Sequence, residues 1–107
     1  GYGRKGVVER KSKIAVVPVG YADGLRRSLS NGFGQLWVNG SRANIVGNIC
    51  MDMCMIDITS ISAREGDDVE IFGDNISISE IAGKLNTIPY EVLTGISPRV
   101  KRVYFQE

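Results

Sequence analysis

Histidine is absent from this chain of 107 residues, and cysteine occurs only twice. Without histidine, the side chain that most often acts as a general base near neutral pH is missing. The two cysteines, Cys50 and Cys54, are too few to close a tetrahedral zinc site by themselves. If both lie on one strand, their sulfurs are roughly 13 Å apart, which is beyond the reach of a disulfide. The sequence therefore predicts two reduced core thiols and no metal site.

The chain also lacks long apolar runs and an excess of either charge. Residues 14–19 form one of its longest apolar stretches, far short of the roughly 20 residues that span a bilayer. No signal-peptide pattern opens the sequence. The chain contains thirteen Lys and Arg residues and twelve Asp and Glu residues, for a net charge of +1. Its long-range electrostatic field is therefore weak. We expect a soluble, cytoplasmic protein that binds neither membranes nor nucleic acid.

Short β-rich segments punctuated by glycine and asparagine dominate the pattern and predict a single small domain. Residues 13–19 form a continuous β-rich run, and the glycines that bound residues 20–24 predict a tight loop after it. Asn39-Gly40, between residues 35–38 and 42–46, is a strong signal for a two-residue hairpin. These segments favour a mainly β domain, either a small barrel or a sandwich.

Three further segments complete the predicted sheet. Residues 49–59 are apolar on both faces, which is typical of a central strand covered from two sides. Residues 69–72 alternate weakly and predict a partly exposed strand that stops at Gly73, and residues 99–105 predict a last strand. Within the central run Asp52 stands out, because a buried carboxylate needs a partner. Its role could be that of a structural anchor or a functional group.

One or two short helices are predicted beside the strands. Ser77 and Glu80 have the spacing of a capping box, and apolar residues follow at helical intervals. A second short turn is predicted to begin at Pro89, since proline suits a first helical position. The predicted fold is thus mainly β with one or two short helices.

Tyrosine, arginine and carboxylate are the side chains left for chemistry. Tyr2, Tyr21 and Tyr90 lie at turns or element ends, whereas Tyr104 lies within a strand pattern. Loop tyrosines often serve a site, although an edge tyrosine with a hydrated hydroxyl explains the same positions. A phenol that acts as a base also needs a nearby cation to lower its pKa. Basic clusters such as Arg26-Arg27 could contact phosphate, but they are too scattered to favour nucleic-acid binding.

Four motifs in order resemble the C-terminal domain of bacterial alanine racemases, and the similarity covers essentially the entire chain. They are GYG at residues 1–3, PVGYADG at 18–24, IVGNICMD at 45–52 and TIPYEVLT at 87–94, with ISPRV following at 96–100. As a set they are far more specific than any single glycine-tyrosine pair. The sequence is therefore identified as a member of this family by resemblance.

The resemblance implies a fold-type III pyridoxal-phosphate enzyme that interconverts L- and D-alanine. In this family an N-terminal (β/α)8 barrel carries the lysine that holds the cofactor, and a mainly β C-terminal domain packs against the partner's barrel in a head-to-tail homodimer. Two sites form across that dimer. The implied partners of this chain are therefore the barrel of its own subunit and that of the partner subunit.

The resemblance also assigns roles by motif match. Tyr2 corresponds to the tyrosine base that acts on L-alanine, opposite the barrel lysine. Tyr21 corresponds to a tyrosine at the substrate entrance, and the backbone N–H of Met51 to the donor for the substrate carboxylate. Tyr90 corresponds to a tyrosine that reaches the cofactor phosphate of its own subunit. Asp52 corresponds to a position beside the carboxylate donor, where we expect it to shape the loop.

Three departures from the family pattern accompany the match. Gly1 stands where many relatives have Ser, and Met53 replaces a frequent Gln. Family members also have a further β stretch and the barrel upstream of the first motif. We therefore expect residues 1–107 to be a C-terminal domain that lacks its first strand or strands and its barrel, and that is inactive and binds no cofactor alone.

Two alternatives remain open at the level of sequence. A stand-alone β domain could have kept the motif residues as structure and act as a protein-interaction module. The fold-type III amino-acid decarboxylases also join a barrel to a β domain, but their cysteine-containing substrate motif is not recognised here. The sequence thus favours the racemase interpretation over both.

Overall fold

The computed structural model describes residues 12–95, 100–102 and 104–105, with side chains described for residues 12–92. The described chain forms seven strands, two short α-helices and two 3-10 turns. The strands are β1 Ile14–Val17, β2 Gln35–Val38, β3 Ser41–Val46, β4 Cys54–Asp57, β5 Asp68–Glu70, β6 Val100–Arg102 and β7 Tyr104–Phe105. The helices are α1 Ile78–Lys84 and α2 Pro89–Gly95, and the 3-10 turns are Tyr21–Asp23 and Arg27–Leu29.

The strands form one antiparallel sheet in the order β6-β5-β2-β3-β4-β1-β7. Strand β3 links its two halves, because its residues 41–44 pair with β2 whereas Ile45 and Val46 pair with β4. The outermost strands, β6 and β7, are separated by one residue, so their ends lie within about 7.6 Å of each other, two Cα steps. The sheet is therefore strongly curled, and the prediction of a mainly β, barrel-like domain with two short helices is confirmed.

Alternating side chains of the strands fill the interior. Ala15 and Val17 of β1 are buried between half-buried neighbours, and β2 repeats the pattern with Leu36 and Val38. A fully buried Leu, Ile or Val side chain stabilises a fold by about 1.5–3 kcal/mol relative to exposure. No polar or charged residue is buried among residues 12–92. The hydrophobic effect therefore dominates this core.

The predicted hairpin and helices are confirmed. Asn39 and Gly40 both have positive φ angles, 46° and 85°, as a two-residue turn of type I′ requires. Ser77 caps α1 by accepting a hydrogen bond of 3.0 Å from the backbone N–H of Glu80. The carboxylate of Glu80 instead binds the guanidinium of Arg42 through two hydrogen bonds, of 2.5 and 2.8 Å. Within the described chain, neither helix has the length and apolar character needed to cross a membrane.

The predicted strand over residues 49–59 is only partly correct. Strand β4 covers Cys54–Asp57 and lies centrally, between β1 and β3. The preceding residues fold back on themselves instead, because the N–H of Cys50 donates to the carbonyl of Met53 over 2.9 Å. Asp52 is exposed in this turn, so the expectation that its carboxylate is buried within a strand is wrong. Similarly, the predicted last strand is divided into β6 and β7.

The two cysteines are free and lie in different environments. Cys54 is buried on β4, whereas Cys50 is half-buried in the loop before it. Burial, with a smaller contribution from the neighbouring Cys50, raises the pKa of the Cys54 thiol to about 12. Because the thiolate is the reactive form of cysteine, Cys54 is an inert core thiol, as predicted.

Candidate functional site

Two loops meet at one end of the barrel, which we call the site end: residues 18–34, after β1, and residues 47–53, before β4. The backbone N–H of Tyr21 donates to the carbonyl of Cys50, and that of Ala22 donates to the carbonyl of Met51, each over 2.9 Å. Two of the predicted site residues, Tyr21 and Met51, are thereby held by one pair of backbone hydrogen bonds. These bonds join segments about thirty residues apart in the sequence.

Gly20 permits this close contact between the loops. A Cβ atom at position 20 would lie 2.2 Å from the carbonyl oxygen of Cys50 and 2.5 Å from that of Met51. Both distances are far below van der Waals contact, and both neighbours are backbone. The N–H of Gly20 donates to the Asp23 carboxylate over 3.0 Å, which tightens the turn further. Only glycine fits at this position without displacement of the second loop.

Tyr21 begins the first 3-10 turn and projects its ring towards solvent. Its exposed fraction is 45%. The guanidinium carbon of Arg27 lies over the ring, 5.2 Å from the ring centroid, within the range of a cation–π contact. Among the described residues, none forms a hydrogen bond with the Tyr21 hydroxyl. The ring is thus positioned by the protein while its hydroxyl is available to a ligand.

Met51 has an exposed side chain and an available backbone donor. The exposed fraction of the residue is 58%. Its carbonyl accepts the hydrogen bond from Ala22, but no acceptor within the described part of the chain is bonded to its N–H. An N–H that points out of a fixed loop can bind a carboxylate with little reorganisation. Asp52, the next residue, is exposed in the same turn.

Tyr90 lies in the first turn of α2 and is the most exposed of the large apolar residues described, at 71%. No described contact joins it directly to Tyr21 or Met51. The neighbouring Glu91 forms an ion pair of 3.2 Å with Arg26, which lies between the two 3-10 turns of the site end. Helix α2 is therefore attached to the loop that bears Tyr21.

Tyr2, the predicted base, lies outside the described residues. The structure thus brings Tyr21 and Met51 together, and it carries Tyr90 on a separate helix attached to the same end. Sequence analysis missed the packing role of Gly20 and the contacts of Arg26 and Arg27. The two arginines were noticed only as a basic cluster, and no local signal indicates partners as distant as Glu91, 65 residues away.

The available groups at this end are hydrogen-bond donors. The hydroxyls of Tyr21 and Tyr90 and the N–H of Met51 suit an anionic ligand such as a carboxylate or a phosphate. The described residues therefore offer donors for a carboxylate or a phosphate at this end of the barrel.

Fold and site together define a small β-barrel domain that presents tyrosines and a backbone donor at one end. Residues 1–104 match the family described as alanine racemase, C-terminal domain. The chain belongs to this family.

Relatives of known sequence and structure are alanine racemases. Alanine racemase 1 of Caldanaerobacter subterraneus subsp. tengcongensis is 50% identical over 112 aligned positions, which cover 100% of this chain and 29% of the relative. The alanine racemase of Halothermothrix orenii is 52% identical over 108 positions, covering 96% of this chain and 28% of the relative. This chain thus spans less than a third of the length of these relatives.

A solved structure agrees with the fold. The alanine racemase from Bartonella henselae, crystallised with covalently bound pyridoxal phosphate, is 37% identical and superimposes with a TM-score of 0.82. The match covers 92% of this chain and 28% of that one. The structural similarity therefore extends over nearly the whole chain.

Proposed function

We propose that this chain is the C-terminal part of a pyridoxal-phosphate-dependent alanine racemase that interconverts L- and D-alanine. Its partners are an N-terminal (β/α)8 barrel in its own subunit and the corresponding barrel of a second subunit in a homodimer. The chain alone is inactive, because the lysine that holds the cofactor belongs to the barrel. Its contribution is to complete the site with donors and a base.

Tyr2 is the proposed base for L-alanine. Its phenolate takes the Cα proton from one face of the substrate, and its phenol returns a proton to that face in the opposite direction. A phenol titrates near pH 10, so this role requires a cation beside it, which we assign to the barrel. Bound pyridoxal phosphate supplies the electron sink that makes the Cα proton acidic.

Tyr21, Met51 and Tyr90 are proposed to bind and orient the reactants. The Met51 N–H donates to the substrate carboxylate, and the Tyr21 ring narrows the entrance beside it. Both groups serve the partner subunit's cofactor site. The Tyr90 hydroxyl donates to the cofactor phosphate of its own subunit and narrows that entrance. Positioning of this kind lowers the entropy cost of reaching the reactive geometry.

The observation that carries the proposal is the exposure of these three residues in a chain of this family. A large apolar side chain at a surface marks an interaction site more strongly when it belongs to a contiguous group. Tyr21 and Met51 are adjacent across the joined loops, and Tyr90, assigned to the other cofactor site, is exposed on α2. Among the described residues their donor groups have no hydrogen-bond partner, which supports ligand binding in preference to a stand-alone interaction module.

Replacement of Tyr2 tests the proposal in the full-length protein. Tyr2→Phe should leave cofactor binding intact and suppress racemisation by about a hundred- to ten-thousand-fold, the usual contribution of a general acid–base group. The loss should be asymmetric, because the lysine on the other face remains. Exchange of solvent deuterium into the Cα position should therefore survive for D-alanine and fall steeply for L-alanine.

Tyr104→Phe is the matched control, since it removes a hydroxyl from a tyrosine with no proposed role. The Tyr104→Phe variant should exchange the Cα proton of both enantiomers at the rate of the unmodified protein. If Tyr2→Phe lowers both exchange rates equally while the cofactor stays bound, or lowers neither, Tyr2 is not the base for one face. That result would remove the catalytic part of the proposal.

A further inference from the structure

Helix α2 carries Tyr90 and packs against α1, whereas no comparable contact of α2 with a strand is described. Val92 is buried at 3% exposure, whereas Ile88 and Tyr90 are exposed at 62% and 71%. The first turn therefore lies at the surface, where hydrophobic packing does little to fix its orientation. A tyrosine that must place its hydroxyl within hydrogen-bond distance of a ligand needs some other constraint on this turn.

Glu91 supplies a polar attachment for the same turn. Its carboxylate accepts hydrogen bonds from the Thr87 hydroxyl, within the segment before α2, and from Nη2 of Arg26 over 3.2 Å. Thr87 and Arg26 hold the pKa of Glu91 below its ordinary value. The carboxylate is thus charged at neutral pH, and it is attached both to its own helix start and to the site end of the barrel.

The backbone of Arg26 is held in place by its neighbours in the site-end loop. It lies between the 3-10 turns Tyr21–Asp23 and Arg27–Leu29, and it is flanked by Leu25, which is buried at 1% exposure. The N–H of Leu25 donates to the carbonyl of Gly20 over 3.1 Å. The backbone of Arg26 is therefore anchored to the same turn that holds the two loops together.

We infer that Arg26 is a positioning residue for Tyr90: its ion pair with Glu91 fixes the first turn of α2 against the site end. The inference rests on the proposed role of Tyr90 at the cofactor phosphate and adds to it the group that holds the tyrosine in place. Arg26 touches neither substrate nor cofactor in this account. Its effect passes entirely through Glu91 and the turn that they share with Tyr90.

The test measures the affinity of the full-length apoprotein for pyridoxal phosphate by equilibrium dialysis, independently of turnover. Tyr90→Phe should weaken binding by about tenfold or more, because a hydrogen bond to a charged group is lost. Arg26→Met should weaken it by about twofold to fivefold, the range for an exposed ion pair. In the Tyr90→Phe background, Arg26→Met should have no further effect, since the hydroxyl that it positions is already gone.

Arg42→Met is the matched control, because it breaks another partly exposed Arg–Glu pair, with Glu80 on α1. It should leave cofactor affinity unchanged, with thermal unfolding of every variant monitored in parallel. Equal losses from Arg26→Met and Arg42→Met, or an undiminished loss from Arg26→Met in the Tyr90→Phe background, would overturn the inference alone. An unchanged affinity for Tyr90→Phe would overturn the role of Tyr90 itself and, with it, the inference.

Discussion

The two ends of the barrel expose different kinds of side chain, although internal hydrogen bonds hold both. At the hairpin end, around Asn39-Gly40 and residues 58–67, polar side chains bind the chain's own backbone and one another. The amide of Asn39 donates to the carbonyl of Ser62 and to the carboxylate of Asp67, each over 2.8 Å. At the site end, backbone and side-chain hydrogen bonds also join the loops, but large apolar side chains project outward.

The two ends differ in how many large hydrophobic side chains they expose. Among residues 12–92, the exposed large hydrophobic residues lie in the loops of the site end or at the start of α2; they are Tyr21, Phe33, Met51, Ile88 and Tyr90. The hairpin end has none. A surface that is polar and internally bonded needs no further partner, whereas exposed aromatic and sulfur-containing side chains mark a surface that contacts something else. This contrast separates the internally bonded hairpin end from the end that carries the proposed site.

The largest effect should come from replacing Gly20, where the two loops of the site end approach each other closely. In the full-length protein, Gly20→Ala forces the backbone of Cys50 and Met51 away, since the new Cβ would meet their carbonyls. A displacement of about 1 Å at a positioned group can cost about a hundredfold in rate, and we expect kcat/KM for alanine to fall by that order. The rate of alanine racemisation, measured at equal cofactor occupancy in both proteins, checks this prediction.

Gly40→Ala is the control at the opposite end. Its φ of 85° strains an alanine although no atom lies within 4 Å, so it should cost stability of about 1–2 kcal/mol and leave kcat/KM unchanged. Equal activity losses from the two variants would remove the distinction between the ends.

A smaller effect, on stability alone, should follow at Asn39. Asn39→Ala removes two hydrogen bonds and places alanine at a φ of 46°, which together should cost about 2 kcal/mol. Asn39→Gly keeps the turn conformation and loses only the hydrogen bonds, so it should cost about half as much. Urea unfolding measures both, and racemase activity at 25 °C should not change. Equal stabilities for the two variants would mean that φ contributes nothing.

The smallest effect concerns acid stability at α1. The hydrogen bond from Arg42, with added attraction from Lys84, holds the pKa of Glu80 below its ordinary value. A lowered pKa in the folded state stabilises the fold above the ordinary value, about 4.3, and this stabilisation is lost as the pH falls through the folded value. Glu80→Gln should therefore show a smaller decrease in the urea midpoint between pH 7 and pH 3 than the unmodified protein. If the urea midpoints of both proteins depend on pH in the same way, the Arg42–Glu80 ion pair does not contribute to the loss of stability in acid.

Local patterns predicted those parts of the fold that local chemistry determines. Asn39-Gly40 specifies a turn because both residues tolerate positive φ, and Ser77 specifies a helix start because its side chain accepts a backbone N–H. The interpretation of residues 49–59 as one strand was wrong where residues from a distant segment contact them. The backbone N–H of Ile49 donates to the Ser30 hydroxyl over 2.9 Å, and the loop after Ile49 packs closely against Gly20. Apolar composition alone did not distinguish that loop from a strand.

The candidate site was predictable only through motif resemblance. No residue pattern within the chain indicates that Tyr21 and Met51 meet, because their contact depends on the antiparallel pairing of β1 with β4, which are distant in sequence. The ion pair of Arg26 with Glu91 was likewise hidden, since it joins segments on different elements. The absence of histidine left tyrosine, arginine and carboxylate as the candidate side chains, and the proposed site draws on the tyrosines.

The single residue between β6 and β7 has a consequence for biosynthesis. Ala15 in β1 pairs with Phe105 in β7, and Val69 in β5 pairs with Lys101 in β6. Strands β1 and β5 thus lack a partner on one side until residues 100–105 leave the ribosome, and such distant pairings form slowly. Until then, β1 and β5 present unpaired backbone to other nascent chains, a template for aggregation. Residues 100–105 therefore cover these two strands and protect the domain from self-association.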